Sequence, residues 1–150
     1  MSGSPLIVFV GHVSIDKVRN VWGEHVQPGG AALYAALGAK AIYDNVRLVT
    51  AVGRDYPYLN LLHSKFPGSI IKVVNMPTTR FTINYSETFK ASYVEAEIGA
   101  GAAIKASDIP AYWAKHGNMI HLAPMRPPKV ERFIKRIRGF SQRVWLSLIH

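Results

Sequence analysis

The chain has 150 residues, 49% of them hydrophobic, no cysteine and a formal charge of +9. That composition can fill the core of one domain, and it excludes disulfides, thiolate metal sites and a cysteine nucleophile. No stretch reaches the ~18–20 apolar residues of a membrane helix, and the N-terminus has neither a basic segment nor an apolar run long enough for a signal. A cytoplasmic protein with no membrane partner is expected.

Residues 6–10 are a continuous apolar run from Leu6 to Val10, the pattern of a strand buried on both faces of a parallel sheet. Residues 13–26 mix β-branched and charged side chains around a turn at 20–23, which predicts a half-exposed hairpin. An Ala/Leu-rich helix over 30–41 and a strand over 45–52 follow. A short helix over 58–66 ends before Pro67-Gly68, and 70–74 is a further strand. Phe81, Ile83 and Tyr85 then alternate with Thr82 and Asn84, and a second run follows at 91–97. Such alternation predicts an antiparallel pair, which with the first hairpin makes a small sheet standing off the main one.

Gly99-Ala100-Gly101-Ala102 reads as a flexible connection, 106–115 as a helix with Pro110 in its first turn, and 119–122 as a strand. Over 128–138, Val130, Phe133, Ile134 and Ile137 recur at helical spacing. They predict a buried stripe, with Lys129, Arg132, Lys135, Arg136 and Arg138 on the solvent face. A last strand is expected over 144–149. Strand and helix alternate, so the class is α/β: a doubly wound, mainly parallel sheet with a small β lid. One domain over 1–150 is expected, with lid segments at about 13–26 and 81–97. The basic charge suits anionic substrates such as nucleotides. No nucleic-acid partner is expected, because no recognised module or interleaved exposed aromatics accompany the charge.

Three segments carry the functional signal. Gly11-His12-Val13-Ser14-Ile15-Asp16 follows the first strand, Pro28-Gly29-Gly30 opens the first helix, and Thr50-Ala51-Val52-Gly53-Arg54-Asp55 closes the next strand. Ligands of doubly wound sheets bind outside the carboxyl ends of the strands, which is where Asp16 falls. Gly29 and Gly30 place backbone donors at a helix N-terminus. Asp55 reads as a structural residue capping the helix near Tyr58. His116 and His121 lack metal-ligand spacing and no His-Glu-x-x-His occurs, so no metal site is expected.

In this order the segments resemble the N-terminal half of the ribokinase-like (PfkB) sugar and nucleoside kinases. Thr79-Arg80-Phe81-Thr82-Ile83-Asn84-Tyr85 looks like that family's lid strand and Ile120-His121-Leu122-Ala123-Pro124 like its next core strand. The resemblance implies ATP-dependent phosphoryl transfer to a sugar or nucleoside hydroxyl, with Mg2+. It implies acceptor contacts at Asp16, Gly29, Gly30 and Tyr34, the last standing where the family has asparagine. The family's Gly-Ala-Gly-Asp motif, with the catalytic base and anion hole, lies in its second half; Gly99 to Ala102 does not match it. The expectation is therefore an acceptor-binding half without a catalytic residue, inactive alone, from a longer kinase or a truncated product. An uncovered apolar terminal strand and the lid predict a homodimer. The alternative is a non-catalytic binding or assembly module with the same fold.

Overall fold

The computed structural model describes residues 3–148. In chain order the elements are β1 (Ile7–Val10), β2 (Ser14–Asn20), β3 (Gly23–Gly29), α1 (Ala31–Lys40), β4 (Val46–Gly53), α2 (Leu59–Lys65), β5 (Ile70–Val74), β6 (Thr79–Tyr85) and β7 (Ala91–Glu97). Then come β8 (Met119–Leu122), α3 (Pro127–Phe140) and β9 (Trp145–Leu148). Short 3-10 segments lie between β7 and β8.

The main sheet runs β5-β4-β1-β8-β9 with every pair parallel. β1 sits at its centre, Phe9 opposite Leu48 on one side and His121 on the other. Alternate side chains of a strand point to opposite faces, and here each face has its own core. Val8, Val10, Ile120 and Leu122 pack with Phe133 and Ile137 of α3 and with Ile104, Ile109 and Trp113. Phe9, Leu48 and Val52 pack with Ala32, Leu33 and Ala36 of α1 and with Leu62 and Phe66. Two covered faces explain why these strands read as unbroken apolar runs.

The second sheet runs β3-β2-β6-β7. It is two antiparallel hairpins, β2·β3 and β6·β7, joined by a parallel pairing of β2 with β6. The first hairpin turns through Val21-Trp22, with Asn20 opposite Gly23. The parallel seam was not foreseen, and β3 runs to Gly29, beyond the hairpin expected at 13–26.

Three expectations change. The segment 106–115 is not an α-helix but two 3-10 turns, Ala106–Asp108 and Ala111–Trp113. Pro110 disfavours helical backbone at Ile109, which is extended, and Pro110 itself is extended between the turns. Gly99–Ala103 is not a loose connection but a 3-10 segment with Ala100 and Gly101 buried. The basic residues of α3 are not all left to solvent. The Lys129 ammonium donates to the carbonyls of Gly101 and Ala102, Arg136 to that of Ile109, and Arg138 to those of Gln142 and Val144. Of the strand expected over 144–149, Trp145–Leu148 forms and Ile149 lies outside the described residues.

Candidate functional site

β1 delivers the chain into β2 through Gly11-His12-Val13, and Asp16 lies within β2. Its carboxylate is buried, 4% exposed, and accepts a hydrogen bond from Ser14 Oγ at 2.6 Å. Burial pushes the Asp16 carboxyl above its ordinary range, against the opposing effect of the Ser14 hydroxyl. The remaining oxygen rests on Gly29, where any Cβ would overlap the carboxylate. A buried carboxylate with spare acceptor capacity is poorly spent on stability; it suits hydroxyl groups brought by a ligand.

Gly30 is the N-cap of α1, with φ 104° and ψ 138°. A side chain there would overlap the His12 carbonyl oxygen, so the first turn of α1 lies directly against the strand connection. Asp16, Gly29 and Gly30 are thus brought together. The Tyr34 hydroxyl is engaged with β3. Its ring is 51% exposed, and its hydroxyl donates to the Pro28 carbonyl while accepting from Gln27 Nε2, both at 3.1 Å. Burial raises the Tyr34 pKa and the Asp16 charge adds to it.

Gln27 and Phe81 are the residues that sequence reasoning missed. Both stand opposite Asp16 in register, on β3 and β6. A two-residue turn at Val21-Trp22 would have placed Gln27 there; no local signal reveals Phe81, whose partner is a distant parallel strand.

Asp55 has a structural place but not the expected one. α2 begins at Leu59, and its N-cap position, Tyr58, provides no side-chain cap. Asp55 instead accepts from the Thr78 N–H and hydroxyl and from Arg80, tying the end of β4 to the start of β6. Burial works against its ionisation, but the Thr78 bonds and the Arg80 charge outweigh it and hold the carboxyl below its ordinary value.

His12 is half-buried against Gly101, its Nδ1 enclosed and without a partner. Burial, then the nearby Lys129 charge, lowers its pKa; burial also lowers that of His121, which contacts Ser147 Oγ at 3.0 Å. The unfolded chain therefore binds protons, near the ordinary imidazole value of about 6.5, that the folded chain refuses. The resulting stability is present above that pH and is lost as pH falls through it. Urea midpoints at pH 8 and pH 5.5 should show the fall, and His121→Phe should shrink it; an equal fall in the variant would remove His121 from the account.

Among the described residues no three His, Asp or Glu side chains form a cluster able to hold a metal ion. Asp16 and Asp55 do not make a magnesium site, Asp55 being committed to Thr78 and Arg80.

No family model matches the chain. It is 31% identical over 137 residues to a cytidine kinase of Thermococcus kodakarensis, covering 89% of this chain and 48% of the relative. The ribokinase of Giardia lamblia superposes with a TM-score of 0.84 at 19% identity, over 97% of this chain and 50% of that one. A Burkholderia thailandensis nucleoside kinase in complex with inosine gives a TM-score of 0.77 at 12% identity, over 94% and 50%. A Pyrococcus horikoshii sugar kinase in complex with ATP gives 0.73 at 18%, over 95% and 52%. The fold is ribokinase-like, a mainly parallel α/β sheet with a second mixed sheet. The chain is similar to sugar and nucleoside kinases of this fold, and it spans about half the length of the curated relative it matches.

Proposed function

We propose that this chain is the acceptor-binding half of an ATP-dependent kinase that phosphorylates a hydroxyl of a sugar or nucleoside. The observation that carries the reading is the buried Asp16 carboxylate, free on one side, set against Gly29 at the entrance to α1. An acceptor hydroxyl donates to Asp16, and the backbone at the start of α1 offers N–H groups to its other oxygens. The second sheet shields the bound acceptor from water, with Gln27 and Phe81 beside Asp16. ATP, when bound, supplies the phosphoryl group. Such transfer is largely positioning and charge stabilisation, and these residues do the acceptor's share of the positioning.

No Gly-Ala-Gly-Asp occurs in the 150 residues, so a base for the hydroxyl and an anion hole are expected outside them. The chain alone should bind a sugar or nucleoside in calorimetric titration yet transfer no phosphate from ATP. Turnover clearly above a buffer blank would refute the division of labour, and failure to bind any acceptor would favour a non-catalytic assembly module. A cytoplasmic homodimer belongs to the same reading. It is supported by the solvent-exposed face of β7 and by exposed Trp22, Phe89 and Tyr93 on the second sheet, and light scattering over a dilution series tests it.

A further inference from the structure

The positive charge of the chain is concentrated in one part of the sequence. Residues 99–148 hold nine of the eighteen lysines and arginines but two of the nine acidic residues, Asp108 and Glu131, and so carry seven of the nine net charges. Asp108 is already paired with Lys72. The ion pairs among the described residues engage Lys17, Arg19, Lys72 and Arg80, so the cations of α3 have no acidic partner. Opposite the buried Phe133 and Ile137, Arg132 and Lys135 are exposed beside Glu131, and Arg138 follows Lys135 by three residues on the same side. Like charges held in a row repel one another until a polyanion neutralises them.

The C-terminal end of that row opens into a cavity of about 630 Å³ whose walls include His116, Arg138, Arg143 and Trp145 and no carboxylate. The Trp145 ring is 69% exposed, and Tyr112, on the neighbouring 3-10 turn, is 72% exposed. Buried Asn118 ties the two segments together. Its side chain donates to the Trp113 carbonyl, and its own carbonyl accepts from the Trp145 N–H, both at 2.9 Å. Arg138 is held in turn by the Gln142 and Val144 carbonyls. These exposed rings come from outside α3, so no single stretch of sequence displays the charge and the stacking surface together. The parallel strands β8 and β9 begin here, at Met119 and Trp145, whereas Asp16 follows the carboxyl end of β1. The cluster therefore lies at the opposite end of the main sheet from the acceptor corner.

We propose that this end of the molecule binds single-stranded nucleic acid. Its phosphates lie along Arg132, Lys135, Arg138 and Arg143, and its bases stack on Trp145 and Tyr112. A positively charged track beside aromatic platforms is the arrangement that holds a single strand without reading its sequence. Bases paired in a duplex have no free face to offer the rings. Two rings set among cations are also not the continuous apolar face that a bilayer surface needs. The surface is independent of the acceptor reading, because it shares no residue with the Asp16 corner.

The test is fluorescence anisotropy of the full chain with a labelled oligothymidylate of about twelve nucleotides, within the usual site sizes of single-strand binders. Its duplex, heparin and phosphatidylserine vesicles are the comparisons. Trp145→Ala with Tyr112→Ala should weaken oligothymidylate binding about five- to a hundredfold, the worth of stacked bases, and leave heparin binding unchanged. Trp145→Phe, which keeps a ring, should restore most of the loss. Arg132→Gln, Lys135→Gln and Arg143→Gln, at three exposed positions, should together flatten the logarithmic salt dependence by about 2, at ~0.7 per phosphate contact. Far-ultraviolet spectra identify any variant that fails to fold, and the charge variant decides the matter if the ring variant does. Heparin and oligothymidylate weakened equally by the ring variant would overturn the inference, as would binding untouched by both variants. Duplex or vesicles bound more tightly than the single strand would overturn it too, the latter making this a membrane face. Displacement of the oligonucleotide by excess ribose or cytidine would put it at the acceptor corner and likewise overturn it; the absence of displacement supports a separate surface, whether or not the acceptor reading stands.

Discussion

Replacing Gly30 by alanine is expected to destabilise the fold by about 2–6 kcal/mol, the sum of backbone strain (~1–3 kcal/mol) and overpacking (~1–3 kcal/mol). At φ 104° and ψ 138° the backbone lies where side chains are rarely tolerated. The added Cβ would also overlap the His12 carbonyl oxygen and come within 2.9 Å of Val13 Cα. Neither neighbour is a flexible side-chain end, so the strain must spread into the connection between β1 and β2. Gly38, further along α1, is the internal control. It is exposed, helical and has open space where a Cβ would be. Gly38→Ala should stabilise by ~0.5–1 kcal/mol. Urea denaturation of both variants reads the two signs together. A loss below about 1 kcal/mol at Gly30 would mean that α1 can start without this close approach.

Asp16→Asn should raise thermal stability at neutral pH while weakening acceptor binding by ~1.5–3 kcal/mol, the worth of hydrogen bonds to a charged group. Because burial raises the folded-state pKa, the fold disfavours the ionised carboxylate. Its contribution to stability is most favourable below the unfolded-state value and declines as pH rises through the raised one. The melting temperature of the variant should therefore exceed that of the wild type at pH 7, and the gap should narrow towards pH 4. Acceptor affinity of the wild type should climb over the same acidic interval as the carboxylate forms. A variant that melts lower at pH 7 and binds acceptors unchanged would make Asp16 a structural residue held by Ser14.

The parallel core was legible because its central strands are buried on both faces: the runs at β1 and β8 carry the signal within themselves. Hairpins were legible for a similar reason, through alternation and a local turn. What was not legible is non-local. The seam between β2 and β6 joins segments some sixty residues apart, so the placing of Phe81 beside Asp16 leaves no mark in either stretch. Asp55 looked like a helix cap because capping is local; its real partners, Thr78 and Arg80, are brought by the crossover from β5. Lys129 and Arg136 followed the polar phase of an amphipathic helix, yet long basic stems reach unpaired carbonyls on neighbouring segments. The error at 106–115 was of another kind. Pro110 was placed in a first turn, where proline is tolerated, but the restriction it imposes on Ile109 divides the segment.

The attachment of the second sheet has a mechanical consequence. β2 begins at Ser14, β3 ends at Gly29, β6 begins at Thr79 and β7 ends at Glu97, and the register sets these four ends side by side. Every covalent link to the main sheet therefore crosses along one row, and both hairpin tips are free at the opposite margin. The geometry is that of a page bound along its spine. At roughly 3.3 Å per residue, Asp16 stands about 7 Å from the spine and Asn20 about 20 Å. A tilt of about ten degrees about that line would swing the tips by some 3–4 Å and displace Asp16 by only about 1 Å. The Asp16 carboxylate would thus stay nearly in place, and with it any acceptor it holds as proposed, while the outer margin, with Trp22 and Phe89 at its tips, moves several times further.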